Sequence, residues 1–335
     1  MPSITFQDVA YSCASGETVL DCLARQGVAV PSSCRSGVCQ TCLMRATNGL
    51  PPQAAQNGLK PTLKEQGYFL ACMCRPQGDL QIAFPGDDVA PRTPATVLAK
   101  EALNSEILRL SLRCEKLLDY RAGQFAHLHR GDGLTRSYSL PNLPREDGVI
   151  EFHVRLLQDG EMSGWIHETL QTGDRVEIAG PFGDCFYMPD AKEQGLLLIG
   201  TGSGLAPLWG IVSDALHQGH SGPIRLYHGS WKPEGLYLVE ELRRLSAKHP
   251  NFHYIPCVDA DPLPGYRVGQ ADQAALADLP SLKGWRVYLC GHPGMVKSAK
   301  KRVFLAGASM QSIYADPFVI SAKPAPSLEP ALTAG

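Results

Sequence analysis

Apolar and polar positions repeat with different periods along this chain, and the changes of period divide it. At the start, Ser3 to Phe6 and Asp79 to Phe84 alternate as strands do, while Glu17 to Gln26 sets Val19, Leu20 and Leu23 on one side of a predicted helix. From Thr93 to about Pro189 short alternating runs predict strands at Ala95 to Ala99, Ile107 to Leu112, Gln124 to His129, Ser137 to Leu140, Val149 to Leu156 and Arg175 to Ile178. Turn residues separate them, which suits a small barrel. From Gly195 onward strand and helix take turns: Leu196 to Ile199, a glycine loop and an apolar helix, Ile224 to His228, a charged helix over Val239 to Lys248, Phe252 to Pro256, and Arg286 to Cys290. That order predicts a doubly wound parallel sheet.

The stretch from Phe84 to Pro94 is rich in Pro, Gly and Asp and reads as a linker with its boundary near Pro91. Expected domains are therefore 1–91, 92–189 and 190–320, followed by an Ala- and Pro-rich tail, 321–335, that has no periodicity and is expected to be disordered. A length of 335 residues with 44% hydrophobic and 19% charged residues gives ample core for a protein of that plan. A net charge of −2 carries no nucleic-acid footprint, and no apolar run reaches the ~20 residues of a membrane helix. The chain enters a strand pattern at once, without an export signal, and its 11 cysteines follow no disulfide spacing, so a reducing, cytoplasmic setting is expected.

The cysteines carry the sharpest chemistry. Cys34, Cys39 and Cys42 stand as C-x4-C-x2-C with Cys72 further on, the ligand spacing of a plant-type [2Fe–2S] centre. Gly37 lets the loop curl and turn N–H groups toward an anionic cluster. The competing reading is a zinc site, but zinc favours paired C-x2-C knuckles, and only one such pair occurs here. Cys72 and Cys74 compete for the fourth place. Ferredoxins end this strand with an apolar run, the ligand and then a Pro-x-x-Asp turn, and Pro76-Gln77-Gly78-Asp79 resembles that turn if Cys72 is the ligand. The segment is nearly balanced in charge, whereas free-standing plant ferredoxins are strongly acidic, so its electron donor is expected on the same chain.

Arg136-Ser137-Tyr138-Ser139, on a predicted strand, resembles the R-x-Y-S flavin signature of the ferredoxin–NADP reductase superfamily, and the resemblance runs from about Thr93 to Val319. An arginine fork suits a diphosphate, a tyrosine face an isoalloxazine ring, and a serine hydroxyl a ring nitrogen. The resemblance implies that Gly160, Met162 and Ser163 present backbone N–H groups to the same diphosphate, and that His153 or Arg155 reaches the flavin. Barrel-surface roles for Tyr138 and Arg155 are the plainer alternative.

Gly200-Thr201-Gly202-Ser203-Gly204-Leu205-Ala206-Pro207 follows an apolar strand and opens a helix, so a pyrophosphate can approach its backbone. It departs from G-x-G-x-x-G and resembles the superfamily's G-T-G loop with a proline in the first turn; a purely structural turn is the alternative. Cys290-Gly291-His292-Pro293-Gly294-Met295 matches the family's C-G-x-P-x-M element, which implies that Cys290 and Gly291 wall the nicotinamide and serve hydride transfer. Asp316 and Phe318 are the nearest counterparts of the acidic and aromatic residues that close the flavin pocket in relatives. Glu234 suits the ribose 2′-hydroxyl of NADH, while Lys232 with Ser230 could take the extra phosphate of NADPH; NADH is favoured.

The order of segments resembles reductase components of bacterial multicomponent oxygenases. It implies an α+β β-grasp ferredoxin domain, a six-stranded antiparallel β-barrel flavin domain and an α/β doubly wound nicotinamide domain. It further implies FAD, a [2Fe–2S] cluster and NAD(P)H, and an oxygenase or hydroxylase component as electron acceptor of a monomeric reductase. Two other readings stand beside it: a flavin reductase with a ferredoxin docking or redox-sensing module, and a reductase for a sugar dehydratase.

Overall fold

The computed structural model describes residues 1–86 and 92–319; the linker boundary at Pro91 and the tail at 321–335 lie outside the described residues. Strands β1 (Ser3–Phe6), β2 (Val9–Ser12), β3 (Leu43–Asn48), β4 (Tyr68–Leu70) and β5 (Leu80–Ala83) form one sheet in the order β2-β1-β5-β3-β4, with β1 and β5 parallel. Helix α1 (Val19–Arg25) starts just after the Thr18 hydroxyl, which accepts from the Asp21 N–H at 3.1 Å and so caps it. Its Val19, Leu20 and Leu23 join Ile4, Phe6, Met44 and Phe69 in a single buried cluster. A short helix, α2 (Pro61–Glu65), begins on a proline, whose fixed φ suits a first turn. This is the β-grasp arrangement.

The middle sheet is antiparallel and six-stranded: β6 (Thr93–Ala102), β7 (Ile107–Cys114), β8 (Phe125–His129), β9 (Thr135–Ser139), β10 (Val149–Arg155) and β11 (Arg175–Phe182), in the order β10-β7-β6-β11-β8-β9. Its end strands β9 and β10 form no ladder among the described residues, so the expected barrel is open along that seam. Tyr138 and Phe152 bridge the gap with ring centroids 5.6 Å apart. Residues Glu161–Gly164 form the first turn of a helix, α3.

The last region holds β12 (Leu196–Thr201), β13 (Ile224–Ser230), β14 (Phe252–Val258), β15 (Arg267–Val268), β16 (Arg286–Gly291) and β17 (Ile313–Pro317), all parallel, in the order β15-β14-β13-β12-β16-β17. Helices α4 (Leu205–His217) and α5 (Val239–Lys248) cover one face, α6 (Ala271–Asp278) and α7 (Pro293–Leu305) the other. The pleat of β12 assigns the faces: Leu196 and Leu198 pack with Leu208, Ile211 and Leu242, while Leu197 and Ile199 pack with Ala275, Ala299 and Val303. Chain order reverses at β12, between β13 and β16, and such a switch point leaves a crevice at the carboxyl ends of the strands. No helix among the described residues is long and apolar enough to cross a membrane.

Candidate active site

A cavity of about 1930 Å³ opens where the β9–β10 seam meets the switch point. Arg136, Ser137, Tyr138 and Ser139 reach it from β9, His153 and Arg155 from β10, Gly160 from the cap of α3, and Met162 and Ser163 from α3 itself. From the nicotinamide side come Thr201, Gly202, Glu234 and Gly291, with Asp316 and Phe318 at the end of β17. Four expected residues stand behind this lining: Gly200, Gly204, Pro207 and Cys290. The Cys290 thiol is buried, 3.8 Å from the Cys185 thiol, so its side chain backs the wall that Gly291 presents.

At the flavin end, Ser139 Oγ lies 3.5 Å from Asp316 Oδ2, a contact across two domains. Burial pushes the Asp316 carboxyl up to about 6; the Ser139 hydrogen bond pulls it back down and the Asp184 charge adds a further rise. A raised folded value means that the protonated carboxyl is the form the fold favours. Its stabilisation is whole below about pH 4 and is lost as pH rises through about 6, up to about 3 kcal/mol. Asp316→Asn in flavin-free protein is therefore expected to unfold at a higher temperature than wild type at pH 8 and at the same temperature at pH 4. Equal melting at pH 8 would remove this carboxylate from the account.

His153 is buried and its Nδ1 lies 3.1 Å from the Tyr237 hydroxyl, while the Tyr237 ring packs edge-on against His228, which in turn lies 3.3 Å from the Tyr254 hydroxyl. Desolvation pushes both histidines down to about 3, so both are neutral. This chain stitches β10 to β13 behind the cavity. Sequence spacing passes over Tyr237 and His228, although His228 sits at the end of a predicted strand.

At the nicotinamide end, Gly202 has φ +54°, a left-handed value that glycine takes without strain, and Arg155 Nη1 would stand 3.6 Å from a side chain placed there. Arg155 is also paired with Glu106 at 2.9 Å, which aims it at this loop. The Thr201 hydroxyl accepts from the His292 N–H at 3.3 Å and fastens the loop to β16. Beyond it, Lys232 is paired with Asp261 at 2.9 Å, and Glu234 and Asp259 both line the cavity. Asp259 was legible only as an acidic residue just past an apolar strand.

In the cluster loop, the N–H groups of Ser36 and Cys39 donate to Cys34 Sγ at 3.5 and 3.3 Å, and the Thr41 hydroxyl donates to Cys39 Sγ at 3.2 Å. The Ser36 hydroxyl first, and then the N–H groups of Cys39 and Ser36, pull the Cys34 thiol down to about 5. Cys72 is 7% exposed, and burial, then the neighbouring Cys42 and Cys34 thiols, push its own thiol up to about 11, whereas Cys74 is wholly buried, with burial as the one cause raising its thiol to about 12. Cys13, Glu17 and Cys22 also gather within 4.8 Å, but Arg25 already holds the Glu17 carboxylate at 2.9 Å. A cation would find that charge taken.

Family models described as 2Fe-2S iron-sulfur cluster binding domain, Oxidoreductase FAD-binding domain and Oxidoreductase NAD-binding domain match residues 4–77, 94–187 and 198–301. The reductase subunit of an aromatic O-demethylase from an Amycolatopsis species is 35% identical over 317 residues, covering 91% of this chain and 95% of its own. The chain belongs to the reductase components of oxygenase systems. This reductase is also 35% identical over 312 residues to the reductase component of a Pseudomonas putida naphthalene 1,2-dioxygenase system, covering 91% and 94% of the two chains. Among solved structures, the Amycolatopsis cytochrome P450 reductase GcoB superposes with a TM-score of 0.67 at 34% identity, over 95% of this chain and 99% of that one. The ferredoxin reductase of a carbazole 1,9a-dioxygenase gives 0.64 at 25%, over 95% and 98%. The reductase is thus an NAD(P)H-dependent electron-transfer oxidoreductase that uses FAD and a [2Fe–2S] cluster.

Proposed function

We propose that this reductase takes a hydride from NADH beside Gly291 and passes single electrons through its cluster loop to an oxygenase or hydroxylase component, as a cytoplasmic monomer. One observation carries the reading: the β9 string, the glycine loop after β12 and the turn after β17 line one continuous cavity. Its residues fit a flavin dinucleotide. A side chain at Gly160 would overlap the Ser163 hydroxyl, so bare backbone faces the cavity there, with Arg136 as the cation for a diphosphate. Tyr138 and Phe318 offer ring faces, and the Ser139 hydroxyl, tethered to Asp316, offers a proton or a lone pair to a ring nitrogen.

FAD bound here supplies the conversion of a two-electron hydride into single-electron transfers, and a cluster held by Cys34, Cys39, Cys42 and Cys72 supplies the one-electron carrier. Those thiols suit it because backbone N–H groups already stabilise negative charge on the loop. Val38, 78% exposed at the loop's tip, gives a partner something apolar to cover. All 11 cysteines are free, as a reducing cytoplasm allows.

The preference for NADH rests on charge. Lys232 is neutralised by Asp261, and Glu234 and Asp259 would repel a 2′-phosphate. The expected ratio of kcat/KM for NADH over NADPH is tenfold or more, about 1.4 kcal/mol. Asp261→Asn, which frees Lys232, is expected to narrow that ratio severalfold by improving NADPH; an unchanged ratio would mean that Lys232 does not face the phosphate. The reading as a whole is tested by anaerobic titration with NADH and then NADPH, following flavin absorbance and the spin-resonance signal of the reduced cluster. A bleached flavin with a silent cluster would favour a docking or sensing role for the ferredoxin domain.

A further inference from the structure

Among the described residues, the ferredoxin domain meets the rest of the molecule through polar contacts of residues 58–65. Lys60 Nζ lies 2.9 Å from Asp184 Oδ2, just past β11, and 4.8 Å from the ring centroid of Tyr314 on β17. Glu65 Oε1 lies 2.7 Å from Arg121 Nη1, ahead of β8. The Gly58 carbonyl accepts from Gln311 Nε2 of the nicotinamide domain at 3.4 Å and from Gln40 Nε2 of the cluster loop at 3.1 Å. This seat therefore touches the cluster loop on one side and, through Tyr314, the strand that carries Asp316 into the flavin cavity on the other.

The receiving face is held rigid by its own domains. Arg121 also donates to the Tyr187 carbonyl at 3.1 Å and lies 3.8 Å from Asp214 of α4, so it is fixed whether or not Glu65 is present. The two faces present opposite pairs: Lys60 and Glu65 on the ferredoxin domain, Asp184 and Arg121 opposite. A half-turn of the domain would set Lys60 on Arg121 and Glu65 on Asp184, both repulsive, so the charges select one orientation. All four side chains keep partial solvent access, between 25% and 39%, which leaves the pairs open to screening by salt.

We propose that Lys60 and Glu65 are positioning residues for electron transfer within the chain: they seat the ferredoxin domain in the orientation that brings the cluster loop to the flavin. The inference rests on the reductase reading above. Lys60 dominates, because one ammonium engages both the flavin domain and the nicotinamide domain.

The test is rapid mixing of the full-length holoprotein with NADH, with flavin bleaching and cluster reduction followed separately. Lys60→Glu is expected to slow cluster reduction about tenfold while flavin bleaching and the dithionite-reduced cluster signal stay at wild-type values. Adding Asp184→Lys to that variant restores most of the rate, which a merely misfolded domain would not do. Glu65→Gln, a milder change, slows the step severalfold. Raising salt to about 0.5 M, where the screening length falls to about 4 Å, slows wild type and speeds Lys60→Glu, whose new carboxylate is then repelled less by Asp184. Cluster reduction at the wild-type rate in Lys60→Glu, or no recovery in the double variant with its cluster intact, overturns the seat alone. A wild-type cluster that stays oxidised under NADH overturns the electron-transfer reading and the seat with it.

Discussion

Replacing Cys39 by alanine is expected to abolish the reduced-cluster signal and to cut electron delivery to a one-electron acceptor by about 100-fold or more, while NADH-driven reduction of ferricyanide stays within about twofold. Ferricyanide can draw electrons at the flavin, so the cavity alone serves it. Changes one shell outside a metal centre already cost about 10–100-fold, and a lost ligand removes more. Cys39 also accepts the Thr41 hydroxyl bond, so its removal empties the centre of the loop rather than its edge. Cys74→Ala is the control. That thiol lies in the ferredoxin core among apolar neighbours, and its loss is expected to lower stability and keep the signal. A cluster that survives Cys39→Ala but not Cys74→Ala would reassign the ligand set.

Gly204→Ala is expected to raise the KM for NADH about 100-fold and leave flavin content unchanged. A methyl group there would stand 2.6 Å from the carbonyl carbon of Cys290 and 2.7 Å from Cα of Gly291. Both are backbone atoms of β16 and cannot swing aside as a side chain can. Either the glycine loop or the nicotinamide wall must move, and strain at the upper end of the overpacking range, about 3 kcal/mol, corresponds to that factor. Arg136 and Tyr138 belong to the other domain and keep their places. Titration of KM and flavin absorbance in the same preparation separates the two effects, and an unchanged KM would mean that the loop does not carry the dinucleotide.

Local chemistry was readable in the sequence, and long-range assembly was not. The β9 string and the glycine loop announce themselves because each packs its chemistry into a few consecutive residues, and both line the cavity. The turn-taking of strands and helices from Gly195 onward also foretold a sheet covered on both faces. Cys290 reads as a wall residue from its string, yet a strand alternates its side chains, and the pleat turns this thiol toward Cys185 instead. The His153–Tyr237–His228 chain joins residues far apart in sequence and leaves no periodic trace. Lys60 is a lone lysine in a loop. Only the folded arrangement puts it between Asp184 and Tyr314.

The contact between Ser139 and Asp316 spans 177 positions of chain, and this bears on how the protein is made. The β-grasp sheet closes entirely within residues 3–83, so it can fold while most of the polypeptide is still on the ribosome. The flavin cavity has to wait for β17, which is translated after every other strand described. Iron–sulfur loading can thus precede flavin loading during biogenesis. A ribosome that stalls ahead of residue 313 would release a fragment able to bind iron and sulfide but unable to complete the pocket that delivers its electrons.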